Sequence, residues 1–244
     1  MTVKMDEGLA FGLGVFETIA IEQKKPLFLK EHLDRMRRGA KTLGFWNKEL
    51  EEKISLPRIF SRLESQPSER GALKIIATPK NVVFSWRDNP YQKEDYDRGF
   101  SLKISQIQRN ETSPLTYMKT LNYGDNIMEK RKALSEGADE PVFLNSRGEF
   151  AEGATTNLFF VKDGEIFTPA VSCGLLPGVV RGFVMENFSV REQRIFKEER
   201  ADFEEVFVTN SLLGIMPVRR LGDKEFTERR FVQKVQKKYR NLIL

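Results

Sequence analysis

A mixed fold of the α/β or α+β class, with a smaller N-terminal domain and a larger C-terminal one, is what the sequence predicts. Three observations carry this. Segments of strand and helix character alternate along the chain. Short strands of the second half are separated by Gly-containing turns. A polar segment with a proline, Gln108-Arg109-Asn110-Glu111-Thr112-Ser113-Pro114, falls near the middle. The domains are accordingly set at residues 1–108 and 118–244, with 109–117 as linker.

The elements follow in order. Residues 14–21 read as a strand and Gln23-Lys24-Lys25 as a turn. Leu29, Leu33, Met36, Ala40 and Leu43 recur at three- and four-residue steps, which predicts an amphipathic helix over 30–43 ending at Gly44. Residues 50–63 read as a second helix, complicated by Pro57. Residues 72–77, 81–84 and 100–104 read as strands. Beyond the linker, 126–136 is helical in pattern, and 141–144, 156–161 and 165–167 are short strands. Residues 180–188 are expected to be helical and 205–208 to be a strand. Phe231, Val235, Tyr239 and Leu242 give a closing helix.

Composition narrows the functions. Hydrophobic residues make up 40% and charged residues 31%, so a sizeable core is feasible and wholesale disorder is not expected. The net charge of +5 is spread along the chain, which argues against a nucleic-acid stripe and suits an anionic cofactor and a small anionic substrate. One cysteine, Cys173, excludes an intrachain disulfide and fits a reducing compartment. The start has no apolar run of signal-peptide length, and no stretch approaches the roughly 18 apolar residues of a membrane span, so a cytoplasmic protein is expected. With one His and one Cys, a His/Cys zinc site cannot be assembled in one chain, and no metal is expected. Neither a nucleophile elbow nor a P-loop is present, so catalysis would rest on Lys, carboxylates or a borrowed cofactor.

Four stretches carry chemistry. Lys119 stands in Tyr117-Met118-Lys119-Thr120-Leu121-Asn122-Tyr123-Gly124, among apolar and amide side chains. Burial there would favour its free amine, a competent nucleophile. Glu152, in Ala151-Glu152-Gly153-Ala154-Thr155-Thr156-Asn157, sits between small residues at the mouth of an apolar strand. A carboxylate so placed can grip a protonated heterocyclic nitrogen; the residues alone read equally as a solvent-facing turn. Gly174-Leu175-Leu176-Pro177-Gly178-Val179-Val180-Arg181 has the form of a turn entering a helix N-terminus, a generic anion site. In His32-Leu33-Asp34-Arg35, Arg35 can pair bidentately with a phosphate, whereas His32 reads first as a hydrogen-bonded structural residue.

Taken together, G-x-G-x-F-E-T, H-x-x-R, K-x-L-N-Y, A-E-G-x-x-x-N, L-L-P-G-x-x-R and T-N-S-L-L-G-I-M-P-V resemble, in order and over almost the entire chain, the class IV (fold-type IV) enzymes that use pyridoxal 5′-phosphate. That group includes branched-chain and D-amino acid aminotransferases and 4-amino-4-deoxychorismate lyases. The resemblance implies a barrel-like C-terminal domain, a homodimer, and a small amine or amino acid as substrate. It implies that Lys119 carries the cofactor as a Schiff base, that Glu152 contacts the pyridine nitrogen and that Arg35 binds the phosphate. Gly178, Val179 and Val180 are implied as backbone donors to that phosphate, with Asn210 and Ser211 beside them. Tyr123 is placed to approach the phenolic oxygen. Two departures stand out: Val179-Val180 replaces the family's Ile-Thr, removing a hydroxyl ligand, and the family's strand ahead of Asp6-Glu7 is mostly missing.

Within the family, Gly14-Val15-Phe16-Glu17-Thr18, Arg87-Asp88-Asn89-Pro90-Tyr91 and Asn210–Val218 look closer to the lyase branch, and no R-x-H pair of the D-amino acid enzymes is evident. The expectation is therefore an aminodeoxychorismate lyase serving folate synthesis, with an aminotransferase as the alternative and a non-catalytic cofactor-binding homologue as a further one. Arg87, Arg109 and Arg219 are candidates for substrate carboxylates, although each reads first as a surface residue.

Overall fold

The computed structural model describes residues 2–66 and 68–243. It forms two compact units, one from Met1–Pro90 with Met118–Asn122, the other from Tyr91–Tyr117 with Tyr123–Leu244.

In the first unit, helix α1 (Glu7–Phe11) starts where Asp6 Oδ1 accepts the Leu9 N–H and ends at Gly12, whose φ of 71° is left-handed. Strand β1 (Val15–Glu22) turns through Gln23 and Lys24, both at positive φ, into β2 (Lys25–Pro26). Helices α2 (Leu29–Thr42), α3 (Lys48–Lys53) and α4 (Leu56–Glu64) precede β3 (Gly71–Ala77) and β4 (Val82–Arg87). The expected single helix over 50–63 is thus two. Pro57 lies in the first turn of α4, where its missing N–H costs no helical hydrogen bond, whereas a continuous helix would lose one there.

The sheet runs β2-β1-β3-β4, antiparallel throughout. Val15, Ile19, Ile21, Leu73, Ile75 and Ala77 share one face and pack with Met36 and Ala40 of α2. Glu17 sits on that same face. Residues 118–122 run beside β1: Phe16 N–H donates to the Lys119 carbonyl and Leu121 N–H to the Gly14 carbonyl, both at 2.9 Å. A Cβ on Gly14 would lie 2.7 Å from Leu121 Cδ1 and 2.9 Å from the Ala77 carbonyl oxygen, so the approach requires glycine. The sequence assigned this segment to the C-terminal domain; its backbone hydrogen bonds tie it to the first unit.

The second unit contains α5 (Lys93–Arg98), β5 (Phe100–Arg109), α6 (Gly124–Ser135), β6 (Glu140–Asn145), β7 (Phe150–Gly153), β8 (Asn157–Lys162) and β9 (Glu165–Pro169). It continues with α7 (Val179–Asn187), β10 (Val190–Gln193), β11 (Glu205–Asn210), β12 (Gly214–Leu221), β13 (Lys224–Glu225) and α8 (Arg230–Ile243). Its sheet follows the order β10-β9-β8-β11-β12-β5-β6-β7, with β13 on β12. The sheet curls on itself: Phe150 of β7 lies 5.3 Å, centroid to centroid, from Phe160 of β8. Phe150 N–H donates to the Ile195 carbonyl at 2.8 Å, and Glu149 pairs with Phe196 just beyond β10. The barrel-like domain implied by the family resemblance is therefore present. Phe100 and Leu102 belong to its core with Leu158, Phe160, Val206 and Met216. This is why β5, expected in the first domain and ahead of a linker, belongs to the second unit.

No helix among the described residues is long and apolar enough to cross a membrane. None of their His, Cys, Asp and Glu side chains group as a metal site.

Candidate active site

The expected site residues fall into two groups, one in each unit. In the first, Lys119 places Nζ 4.6 Å from the Phe16 ring centroid. Lys74 places its own Nζ at 4.6 Å from the same centroid. Strand alternation explains the pairing, because Lys74 is opposite Thr18 in the register and Phe16 lies two residues before Thr18 on the same face. Lys74 is half-buried, and burial, with the nearby Arg87 charge, lowers its pKa. The Lys74 ammonium makes no ion pair or hydrogen bond among the described residues. Arg87 is exposed on the same face.

Arg35 and His32 point from α2 toward Glu17. Arg35 Nε donates to Oε1 and Nη2 to Oε2, each at 2.7 Å, while His32 Nδ1 is 2.6 Å from Oε2. Glu17 and His32 are wholly buried. Burial alone would raise the Glu17 pKa, but the charge of Arg35 and the bonds from Arg35 and His32 outweigh it and leave it at about 2. Burial also pushes His32 below its ordinary value, so its imidazole is neutral near pH 7 and donates Nδ1–H to the ionised carboxylate. A bidentate pairing of the kind the sequence offers for a phosphate is made here with Glu17, through Nε and Nη2.

In the second unit, Glu152 is buried within β7, one residue before its end, and not in a solvent-facing turn. Its Oε2 accepts the Leu176 N–H at 3.0 Å, and its Oε1 is 3.2 Å from Arg109 Nη2. Arg109 stacks on Phe143, with its guanidinium carbon 3.9 Å from the ring centroid, and donates through Nη1 to Asn126 Oδ1. Its Nε is buried without a hydrogen-bond partner, and Nη2 meets Glu152 as an ion pair and not as an aligned hydrogen bond. Arg109, expected as a substrate-carboxylate candidate, is thus committed to Glu152. The Tyr123 hydroxyl lies 2.7 Å from the Ala154 carbonyl oxygen, which also accepts from Asn126 Nδ2. Glu140, fully buried, accepts from the Thr155 N–H at 2.6 Å and from the Thr155 and Thr156 hydroxyls, and pairs with Lys130. It pins the loop that follows Glu152.

Gly178 is the N-cap of α7, and no side chain caps that helix, so the N–H groups of Val179 and Val180 open it without a capping acceptor. Asn157 Nδ2 donates to the Leu176 carbonyl, and a Cβ on Gly178 would collide with Asn157 Oδ1. Thr209 pairs with Asn157 in the β11–β8 register, and its hydroxyl is buried without a partner. Asn210, expected beside the phosphate, accepts the Leu212 and Leu213 N–H groups through Oδ1 at 2.9 Å and so shapes the turn that holds Ser211. Arg219 is half-buried on β12, where its charge acts on Asp139.

Residues 14–221 match the family model described as amino-transferase class IV. The chain belongs to the class IV aminotransferase family. It is 28% identical to an aminodeoxychorismate lyase of Bacillus subtilis over 91% of this chain and 82% of the relative. It is 26% identical to a branched-chain-amino-acid aminotransferase of Pseudomonas aeruginosa over 96% of this chain and 85% of the relative. A solved structure from Legionella pneumophila, provisionally named a 4-amino-4-deoxychorismate lyase, superposes with a TM-score of 0.89 at 25% identity, covering 100% of this chain and 96% of that one. Class IV members depend on pyridoxal 5′-phosphate, so this protein is a pyridoxal-phosphate enzyme, either a lyase or an aminotransferase.

The residues present fit that group. A primary amine lies on an aromatic ring, a buried carboxylate is backed by an arginine whose buried Nε has no hydrogen-bond partner, and an uncapped helix start suits a phosphate. Sequence reasoning missed Glu17, Lys74, Glu140 and the true partner of Arg109. Glu17 left a signal, since a charge on the apolar face of an alternating strand must have a buried partner.

Proposed function

We propose that this enzyme eliminates pyruvate from 4-amino-4-deoxychorismate, leaving 4-aminobenzoate for folate synthesis. The observation that carries the choice is Lys74: a half-buried ammonium with no carboxylate partner among the described residues, sharing the Phe16 ring with Lys119. A cation stripped of water in that way calls for an anion from the substrate. The chorismate skeleton brings two carboxylates, whereas a branched-chain amino acid brings an apolar side chain. The B. subtilis and L. pneumophila relatives support the same reading.

Pyridoxal 5′-phosphate, when bound, supplies an electron sink for the carbanion at the amine-bearing carbon. Lys119 Nζ would hold its aldehyde carbon and, once displaced by the substrate amine, remove the proton from that carbon. Glu152 would face the ring nitrogen, with Arg109 and the Leu176 N–H fixing the carboxylate. Tyr123 would approach the phenolic oxygen. Arg35, the Gly178, Val179 and Val180 backbone, Asn210 and Ser211 would hold the phosphate, backbone N–H groups standing in for the hydroxyl lost at Val180. Lys74 orients the substrate. The carbon–oxygen bond to the enolpyruvyl group breaks, the ring becomes aromatic, and the leaving group takes a proton to depart as pyruvate.

The purified enzyme given aminodeoxychorismate and no oxo acid should release pyruvate and 4-aminobenzoate one to one. Glutamate formed from branched-chain or D-amino acids with 2-oxoglutarate, and no aromatic product, would establish the aminotransferase instead. The Lys74→Met variant should raise KM about tenfold, the loss of one charge-assisted contact, with cofactor absorbance unchanged. We further propose a two-fold homodimer, which light scattering should report at twice the 28.2 kDa chain mass.

A further inference from the structure

Asn157, the amide that closes the A-E-G-x-x-x-N motif, is buried at the first position of β8, where pairing with Thr209 of β11 fixes its backbone. Its side chain meets the loop ahead of α7 through both of its polar atoms. Nδ2 donates to the Leu176 carbonyl at 2.8 Å, and Oδ1 stands against Gly178, where a Cβ would collide with it. The N–H of the same Leu176 donates to Glu152 Oε2 at 3.0 Å. Both backbone groups of Leu176 are therefore held, the N–H by Glu152 and the carbonyl by Asn157. Pro177 follows, with no N–H of its own, and Gly178 then opens α7.

We infer that Asn157 is a positioning residue that fixes Glu152 and the start of α7 relative to each other, so that one cofactor engages both at once. The inference rests on the reading of Glu152 as partner of the ring nitrogen and of the α7 start as the phosphate site. It adds a residue that need not touch the cofactor. A ligand of fixed length gains from both ends only if they already stand at the matching separation, because ordering the loop on binding costs affinity. A primary amide suits the task, since one planar group carries a donor and an acceptor. The donor holds the Leu176 carbonyl while the oxygen fills the space beside Gly178. The Gly178 φ of −71° is open to any residue, and the Arg181 Cβ is at ordinary contact distance, so Asn157 is what demands glycine there.

Each end has its own readout in the purified enzyme. The affinity ratio of pyridoxal 5′-phosphate to pyridoxal, which lacks the phosphate, reports the α7 end. The visible absorbance maximum of bound pyridoxal 5′-phosphate reports the ring-nitrogen end. Asn157→Ala should lower the ratio about tenfold, the equivalent of one buried hydrogen bond, and move the band in the same direction as Glu152→Gln. Equal weakening of both probes with an unmoved band would show a merely structural role, and a change at one end alone would show that the ends are not set together; either overturns the inference. Glu152→Gln and Gly178→Ala are the controls. If Glu152→Gln leaves the band in place, or Gly178→Ala leaves the ratio unchanged, the reading of that end fails and the inference with it. If both controls respond and Asn157→Ala does not, positioning fails and the reading stands. Should Asn157→Ala not fold, Gly178→Ala decides, because its Cβ presses on the same amide: it should move ratio and band together, and a moved ratio with an unmoved band would refute the role. In the double variant the collision is gone, so Gly178→Ala should add less than about twofold to the loss caused by Asn157→Ala, whereas full additivity would refute the contact.

Discussion

Glu17 and Glu149 are buried carboxylates held ionised far into the acid range, each with a pKa near 2 against an ordinary 4.5. For Glu17 the cause is Arg35 acting against burial; for Glu149 it is chiefly the Arg147 hydrogen bond. A folded-state value below the unfolded one gives stability that is complete above about pH 4.5 and lost as pH falls toward 2, worth roughly 3 kcal/mol for a wholly buried group such as Glu17. Urea midpoints should therefore fall steeply across that window, and the Glu17→Gln variant should show a shallower decline. Cys173 is raised to about 11, first by burial and then by Glu149, so its thiol should react negligibly with a thiol reagent at pH 8 until denaturant is added. At this scale motifs single out Lys119 and Glu152 in the sequence, and the structure puts the first over the Phe16 ring and buries the second. Lys74 was not legible, because its meaning comes from an unpaired ammonium over a distant ring, and neither the register nor the missing partner is written locally.

Among the elements, the end of β7 is tightly constrained. A Cβ on Gly153 would collide with the Thr156 hydroxyl and lie 2.8 Å from Glu140 Oε1, so Gly153→Ala should displace the loop that Glu140 pins. We expect a loss of about 1–3 kcal/mol in chemical denaturation, the usual cost of overpacking, together with faster cofactor release. Helices were read well from their apolar spacing: α2, α6, α7 and α8 each fall within a residue or two of their expected limits. The strands β7, β10 and β12 were not. β12 is paired on both sides yet contains Pro217, which argues against a central strand in sequence. The structure tolerates it because pairing with β5 begins only at Val218. Exposed short strands such as β10 carry no alternation to detect.

For the whole molecule, the mixed class and the curled sheet were anticipated, the latter through family resemblance. The division at 109–117 was drawn from polarity and proline, whereas the compact units follow the cores, with β5 contributing to the second and residues 118–122 bonded to β1 of the first. Local composition cannot report which core a strand fills, and that is why the boundary was the least legible feature. The central claim is that Lys119 carries pyridoxal 5′-phosphate. Borohydride reduction of the purified enzyme followed by peptide mass mapping tests it directly. The account predicts a single phosphopyridoxyl group on the peptide containing Lys119, absent from Lys119→Ala. The same label on Lys74 or any other lysine, or its persistence in Lys119→Ala, would contradict it.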